Sequence, residues 1–324
     1  MFSIIIPTYN SGKNLVKTLA SIYKNDFKDF EIIVVDDGSN DNTRELIRNY
    51  SVIYVFLERN RGAAFARNKG AELAKGDILL FIDADVEVKE NLLRNVDEQF
   101  KASDYDVISG VFAKEPKIKN IFLLFQSTLS NYNFSKTDFS FSTHLSAIRK
   151  KAFNELKGFD ERFKSAVAED FDFSQRLIIN GYKCKTDMEM DVYHHQNFTF
   201  YSLLRRTFRF GLLLTPLILE YSKNPEIRSQ KKRYLVNSEY TFSYILILLL
   251  LPAIIVTFYS KLSIIFLIWL ASYILVKSNY LFSVKRKHLL MLLLSLANDI
   301  VALTGCLIGT CRYYYDKRFK KNYN

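Results

Sequence analysis

The chain has only three cysteines in 324 residues, Cys184, Cys306 and Cys311. They are few, odd in number and not in metal-ligand spacing, which excludes a disulfide-stapled scaffold and a thiolate metal centre. Reduced thiols in a cytosol-facing protein are the expectation. No secretory leader is read at the start either: Phe2–Ile6 begins as a strand and meets Pro7 at once. There is no internal repeat and no low-complexity tract. Acidic residues are scarce in one part of the chain. Residues 201–324 carry 18 Lys/Arg against 5 Asp/Glu, and residues 1–200 carry 27 against 29. A near-neutral region followed by a strongly basic one points to nucleic acid or to anionic lipid. Long apolar runs inside the basic region decide for lipid and against nucleic acid.

What is present begins with alternation. Phe2–Ile6, Glu31–Val35, Ser51–Leu57 and Gly76–Ile82 are apolar runs of strand length, and helical spacing runs from Leu15 to Ile22 and from Ala63 to Ala74. Asn42, three residues before Glu45, reads as a helix N-cap. Strands alternating with helices at this spacing predict βαβ units and a mostly parallel sheet with helices on both faces. Beyond Asp85 the alternation loosens. Asn91–Phe100 predicts a helix, Val107–Phe112 a strand, Ile118–Tyr132 an amphipathic stretch, Ser140–Ile148 a strand and Ala168–Asn180 a helix.

The polar residues cluster just past the strands, at the edge where open α/β sheets bind ligands. Asp83-Ala84-Asp85 follows an apolar strand. Two carboxylates there suit Mg²⁺ or Mn²⁺ shared with substrate phosphates, or else a solvated turn. Pro7-Thr8-Tyr9-Asn10 and Asp36-Asp37-Gly38-Ser39 lie side by side if their strands are neighbours. Asp36 could then accept hydrogen bonds from a base and a ribose. In Asn60–Gly70, small residues at a helix start could bring backbone N–H groups to a phosphate. Arg67 and Asn68 are either ligands there or internal struts. Glu169 and Asp170 open a helix, where the dipole favours both carboxylates without catalysis. Asp172 reads as solvent-facing or capping, and Arg176 as a partner of these carboxylates. His194 follows a short strand, Met190–Tyr193, and is either a metal ligand or a buried histidine.

Together these stretches resemble the inverting family 2 glycosyltransferases of the nucleotide-sugar-binding GT-A fold. The resemblance rests on Pro7-Thr8-Tyr9-Asn10, Val35-Asp36-Asp37-Gly38-Ser39, Asn60-Arg61-Gly62 with Ala66-Arg67-Asn68-Lys69-Gly70, and Asp83-Ala84-Asp85. Lys157–Glu161 and Ala168-Glu169-Asp170 continue it, so it covers roughly residues 2–200. It implies a GT-A domain over 1–200 in which Pro7, Thr8, Tyr9, Asp36, Asp37, Arg67, Asn68, Asp83 and Ala84 surround a nucleotide sugar, a UDP-sugar being favoured. Asp85 and Asp83, with His194, would hold Mg²⁺ or Mn²⁺. Asp170 would be the catalytic base, with Glu169 its rival. The processive synthases of this family carry a Gln-x-x-Arg-Trp signature after the base. Here the only tryptophan is Trp269, which argues against a long-chain processive enzyme.

Residues 201–240 read as interfacial basic and aromatic helices. Arg205 and Arg209 share a face that could meet a diphosphate or a membrane surface. Residues 241–324 hold three apolar runs, Thr241–Tyr259, Leu262–Val276 and Leu289–Cys311, expected to be membrane helices. Asn298, Asp299, Gly305 and Gly309 fall inside the third, which predicts a bent or re-entrant segment, or a full crossing with Asp299 buried. The expectation is an enzyme of the inner membrane whose catalytic domain faces the cytosol and whose acceptor is lipid-linked or an envelope glycan. A polyprenyl-phosphate acceptor and a sugar nucleotidyltransferase are the rivals. The latter usually has a Gly-rich, Arg/Lys-containing loop after the first strand, and Pro7–Asn14 lacks one.

Overall fold

The computed structural model describes residues 1–137, 139–163, 168–225, 243–250, 263–283 and 288–322. They fall into two compact units, Met1–Asn120 with Asp138–Asn197, and Ile121–Thr137 with Phe198–Asn324. In chain order the first unit runs β1 (Phe2–Thr8), α1 (Gly12–Tyr23), β2 (Phe30–Asp36), α2 (Thr43–Leu46), β3 (Ile53–Phe56), α3 (Ala63–Leu73), β4 (Ile78–Ile82), β5 (Val86–Glu87), α4 (Leu92–Ala102) and β6 (Val107–Phe112). After α5 (Ile121–Ser135), which belongs to the second unit, come β7 (Leu145–Arg149), α6 (Lys150–Glu155), α7 (Glu169–Ile179) and β8 (Cys184–His194).

The strands form one sheet in the order β3-β2-β1-β4-β7-β6-β8-β5. β3, β2, β1 and β4 are parallel, as the alternation predicts. β7 is inserted antiparallel between β4 and β6. Strand alternation sorts the core. Ile4, Ile6, Leu80 and Ile82 pack with Leu15 and Leu19 of α1 and Leu92, Leu93 and Val96 of α4. Each such fully buried side chain is worth about 1.5–3 kcal/mol. Ile5 points to the other face, where α3 lies. Phe81 also faces that way and meets Phe141, Phe153 and Phe159 at 5.2–6.2 Å between ring centroids. Phe173 of α7 closes this aromatic cluster, 4.8 Å from Phe159.

Two local readings need correction. The helix after Asn42 is a single turn, and Asn42 makes no capping bond. Asp41 does that work instead, its Oδ1 accepting from the Thr43 N–H at 3.0 Å. Ser140–Ile148 becomes strand only from Leu145. The segment before it is held by polar contacts, such as the Phe141 N–H donating to Ser174 Oγ at 2.7 Å.

The second unit is helical. α5 and α8 (Phe200–Tyr221) are joined by helices over Ser263–Ser283 and His288–Asn322, with helical residues at 243–250. α8 starts at a capping box between Thr199 and Ser202. The expected bend in the third apolar run is not found, since His288–Asn322 is one unbroken helix. The residues read as breakers are packing devices. A Cβ on Gly305 would lie 2.4 Å from the Phe208 carbonyl, so glycine is what lets this helix meet α8. Asn298 accepts from Thr207 Oγ1 at 2.6 Å. Asp299, 1% exposed, pairs with the buried Lys277 at 2.8 Å and accepts from the Tyr273 hydroxyl at 3.0 Å. Among the described residues, one helix, Leu289–Tyr315, is long and apolar enough to cross a membrane. Most of Thr241–Tyr259 lies outside the described residues, as do Lys285, Arg286 and Lys287.

Candidate active site

The site is built at the carboxyl edge of β1, β2 and β4, within the first unit. β1 and β2 are in register, Thr8 opposite Asp36, so the two predicted turns lie together. The Asp37 N–H donates to the Thr8 carbonyl at 2.8 Å. Asn10, at φ 49°, donates its N–H to Ser39 Oγ and accepts from the Asn40 N–H. Asp36 is 1% exposed. Its Oδ1 accepts from the Ser39 N–H at 2.8 Å and its Oδ2 from the Tyr54 hydroxyl at 2.6 Å. Burial and the Asp36 carboxylate push the Tyr54 phenol up, so it stays a donor. Thr8 is buried with an unpartnered Oγ1, Pro7 is half-buried and Tyr9 is exposed.

Asp37 does something different. Its two oxygens accept from the backbone N–H groups of Arg61 and Gly62, at 2.7 and 2.8 Å. The anion at the start of α3 is thus a side chain of this protein, and those two N–H groups are not open to a phosphate. Asn68 and Arg67, one turn into α3, both take the strut's position. Asn68 Nδ2 donates to the Phe159 carbonyl at 2.8 Å, and its Oδ1 accepts from the Phe159 N–H at 2.9 Å. This clamps the turn at Gly158, where φ is +65° and a Cβ would lie 2.5 Å from Asn68 Oδ1.

Arg67 is 2% exposed. One nitrogen donates to Asp83 Oδ1 at 2.7 Å and another to Glu169 Oε1 at 3.0 Å. Its guanidinium lies 6.0 Å from the Phe159 ring centroid, above the aromatic cluster. A single cation therefore ties the acidic triplet after β4 to the start of α7, across 102 residues of sequence. Removing a buried partner leaves uncompensated charge. Arg67→Met should cost about 3–5 kcal/mol of stability, read as a lowered thermal midpoint. A variant melting with the wild type would show that the bridge carries no load.

The two carboxylates at the start of α7 separate by environment. Glu169 is 1% exposed, with Oε1 on Arg67 and Oε2 accepting from the Ala168 N–H at 3.1 Å. Burial pushes its carboxyl up, and Arg67 offsets part of that. Asp170 is half-buried, and its Oδ1 accepts from the Phe171 N–H at 2.7 Å. Burial, then the charge of Glu169, push the Asp170 carboxyl up to about 8. Asp172 does not face solvent as expected. It is buried against Arg176, whose Nε donates to it at 2.8 Å.

Ala84 is buried, and its carbonyl accepts from Thr18 Oγ1 at 3.0 Å. Asp85 meets His194, with Nε2 and Oδ2 3.2 Å apart. The backbone agrees: β5 pairs with β8, Val86 opposite His194, and the His195 N–H donates to the Asp85 carbonyl at 2.7 Å. The carboxylates of Asp83 and Asp85 are hard oxygen donors of the kind that suit Mn²⁺ or Mg²⁺, though Asp83 lies on Arg67 and Asp85 on His194 and they do not gather with a third such side chain among the described residues. Tyr54 went unnoticed in the sequence. Its only signal is its place on the strand beside β2.

Comparison with known proteins finds relatives over this part of the chain. Residues 3–157 match the family model described as glycosyl transferase family 2. The chain is 28% identical over 256 residues to the poly(ribitol-phosphate) beta-N-acetylglucosaminyltransferase TarP of Staphylococcus aureus, covering 74% of this chain and 77% of that protein. It is 30% identical over 214 residues to the GalNAc(5)-diNAcBac-PP-undecaprenol beta-1,3-glucosyltransferase of Campylobacter jejuni, covering 63% and 65%. The chain spans less than half the length of other curated relatives it matches. A mannosyltransferase from Pyrobaculum calidifontis, solved with GDP-Man and Mn²⁺, superposes with a TM-score of 0.59 at 16% identity, covering 98% of this chain and 87% of that one. That likeness shows the fold. Over residues 3–157 the chain thus resembles the family 2 glycosyltransferases, and the curated relatives it matches are named as glycosyltransferases.

Proposed function

We propose that the chain moves a sugar from a nucleoside-diphosphate sugar, a UDP-sugar being favoured, to a hydroxyl of a lipid-linked or cell-envelope glycan in a single inverting displacement. The observation that carries this reading is the Arg67 bridge, which ties Asp83 to the helix that presents Asp170. Metal end and base end thus belong to one rigid edge. Thr8 would line the base and ribose above Asp36, which Ser39 and Tyr54 hold in place, with Tyr9 at the rim. Asp85 and Asp83, beside His194, would hold Mg²⁺ or Mn²⁺. The ion supplies Lewis-acid stabilisation of the charge that develops on the leaving diphosphate. Among the described residues no three His, Cys, Asp or Glu side chains gather closely enough to hold an ion alone. An ion here would share the oxygens of the diphosphate.

Asp170 takes the proton of the acceptor hydroxyl as that oxygen attacks the anomeric carbon. Glu169 is a poor rival, because both its oxygens are engaged and it is closed to solvent. A membrane setting is supported by the Leu289–Tyr315 helix and the basic balance of residues 201–324. In this reading residues 1–200 face the cytosol, where nucleotide sugars are supplied, and the helices from residue 241 onward sit in the inner membrane. The relatives named for a poly(ribitol-phosphate) and for a GalNAc(5)-diNAcBac-PP-undecaprenol support the acceptor class.

The test is a donor panel. Detergent-purified full-length protein, given a membrane lipid extract as acceptor, should release free nucleoside diphosphate from one nucleotide sugar. The product linkage, read by NMR, should have the anomeric configuration opposite to the donor's. Release of pyrophosphate instead would mean a nucleotidyltransferase, and retained configuration would remove the single-displacement step.

A further inference from the structure

Behind Asp85 lies a column of stacked rings that the chemistry above does not use. Phe112, the last residue of β6, is 7% exposed. On one side His144 stacks on it, ring centroids 3.7 Å apart and planes 11° from parallel. On the other side His194 stacks on it at 4.6 Å and 19°. Both imidazoles are nearly closed to solvent. Three separate elements supply the rings: the end of β6, the segment before β7 and the end of β8. Hydrogen bonds hold the segments that carry them. The Ala113 N–H donates to the Val192 carbonyl at 2.8 Å, and Val192 lies opposite Phe112. His144 Nδ1 bonds Ser142 Oγ. The Ser142 N–H donates to Ser146 Oγ at 3.1 Å, and Ser146 Oγ shares a 2.7 Å bond with Ser109.

A buried phenyl ring between two imidazoles is more than apolar filling. Rings this parallel and this close leave the outer one little freedom to rotate about its Cβ–Cγ bond. The outer ring here is His194, whose Nε2 faces Asp85 Oδ2. Groups behind a metal site that fix a ring plane set how well the first ligands are presented.

We propose that Phe112 and His144 are positioning residues for the metal site: their stack fixes the His194 ring with Nε2 toward Asp85 and so holds the Asp85 carboxylate ready for the ion. The proposal rests on the reading of Asp85 as a metal ligand.

The test uses full-length protein in detergent with UDP and Mn²⁺ alone, following free Mn²⁺ by its electron paramagnetic resonance signal. Phe112→Leu keeps an apolar side chain and removes the ring. It should weaken Mn²⁺ binding by about 10–100-fold, the usual effect of losing an outer support. His144→Ala should weaken it in the same direction. His144→Phe, which restores a ring on that side of the stack, should bind within about three-fold of wild type. The thermal midpoint is measured without metal in each case. A purely structural stack would lower that midpoint and leave the affinity of the folded protein unchanged. Unchanged affinity in Phe112→Leu overturns the proposal. If that variant does not fold, equal affinities in His144→Ala and His144→Phe overturn it. Wild-type protein that binds no Mn²⁺ with UDP overturns the metal reading itself, and this proposal with it.

Discussion

Asp170→Asn should lower the transfer rate by about 10²–10⁴-fold, the ordinary worth of a positioned base. The substitution keeps the volume and the hydrogen bond to the Phe171 N–H, and it removes the group that takes the proton. Glu169→Gln should cost less than ten-fold by the same scale, since Glu169 acts through Arg67 and not on the acceptor. The pH profile separates the two further. A base works when ionised, and burial with the Glu169 charge pushes Asp170 up to about 8. In wild type, kcat/KM should rise with pH through that region. In Asp170→Asn the rise should vanish along with most of the rate. If Glu169→Gln is the worse variant, the base has been assigned to the wrong carboxylate. If neither matters, the acceptor is a phosphate, which needs little base assistance.

The same group has a signature in stability. The unfolded chain releases the Asp170 proton near the ordinary 3.8, and the folded chain holds it to about 8. Between those values the folded state binds more protons, so this group's contribution falls as pH rises and is lowest above about 8. Asn cannot ionise. Asp170→Asn should therefore melt higher than wild type at alkaline pH and level with it at low pH. A variant at once more stable and far less active is hard to explain unless strain at that carboxylate serves catalysis.

Much of the site was legible because its residues sit where strands end. An apolar run of strand length followed by Asp36-Asp37-Gly38-Ser39 or Asp83-Ala84-Asp85 carries its own geometry, and neighbouring parallel strands place such turns at one edge. Division of labour was not legible. Asp36 and Asp37 are adjacent, yet one meets Tyr54 and the other fastens the start of α3. Nothing local distinguishes them. Arg67 could be read as a strut from its place among alanines, but not its partner Glu169, which loop closure brings from the far end of the domain. The direction of β7 was hidden for another reason. Alternation over Ser140–Ile148 marks a strand and says nothing of which way it runs. In the C-terminal helix, Asn298, Asp299 and two glycines looked like interruptions. They are contacts: with Thr207, with Lys277 and Tyr273, and with the backbone of α8. A polar or small residue in an apolar helix signals either a break or a partner, and the sequence cannot choose between them.

Asp85→Ala should abolish transfer while the fold persists. The side chain is about a quarter exposed and meets His194 at its edge of the site. Loss of the carboxylate removes an ion worth several kcal/mol of transition-state stabilisation, or about 10³-fold or more in rate. Asp83→Ala should be harder on the protein, because Asp83 also neutralises the buried Arg67. On the proposed reading the two substitutions would separate Asp85, which serves the ion, from Asp83, which also holds the Arg67 frame. Thermal melting without metal should place Asp85→Ala near wild type and Asp83→Ala below it. Calorimetry with UDP and Mn²⁺ should show binding lost in Asp85→Ala. Excess chelator should bring wild type down to the level of that variant and have no further effect on the variant. Full activity of wild type in chelator would end the metal assignment, because the one site cannot both require an ion and work without it.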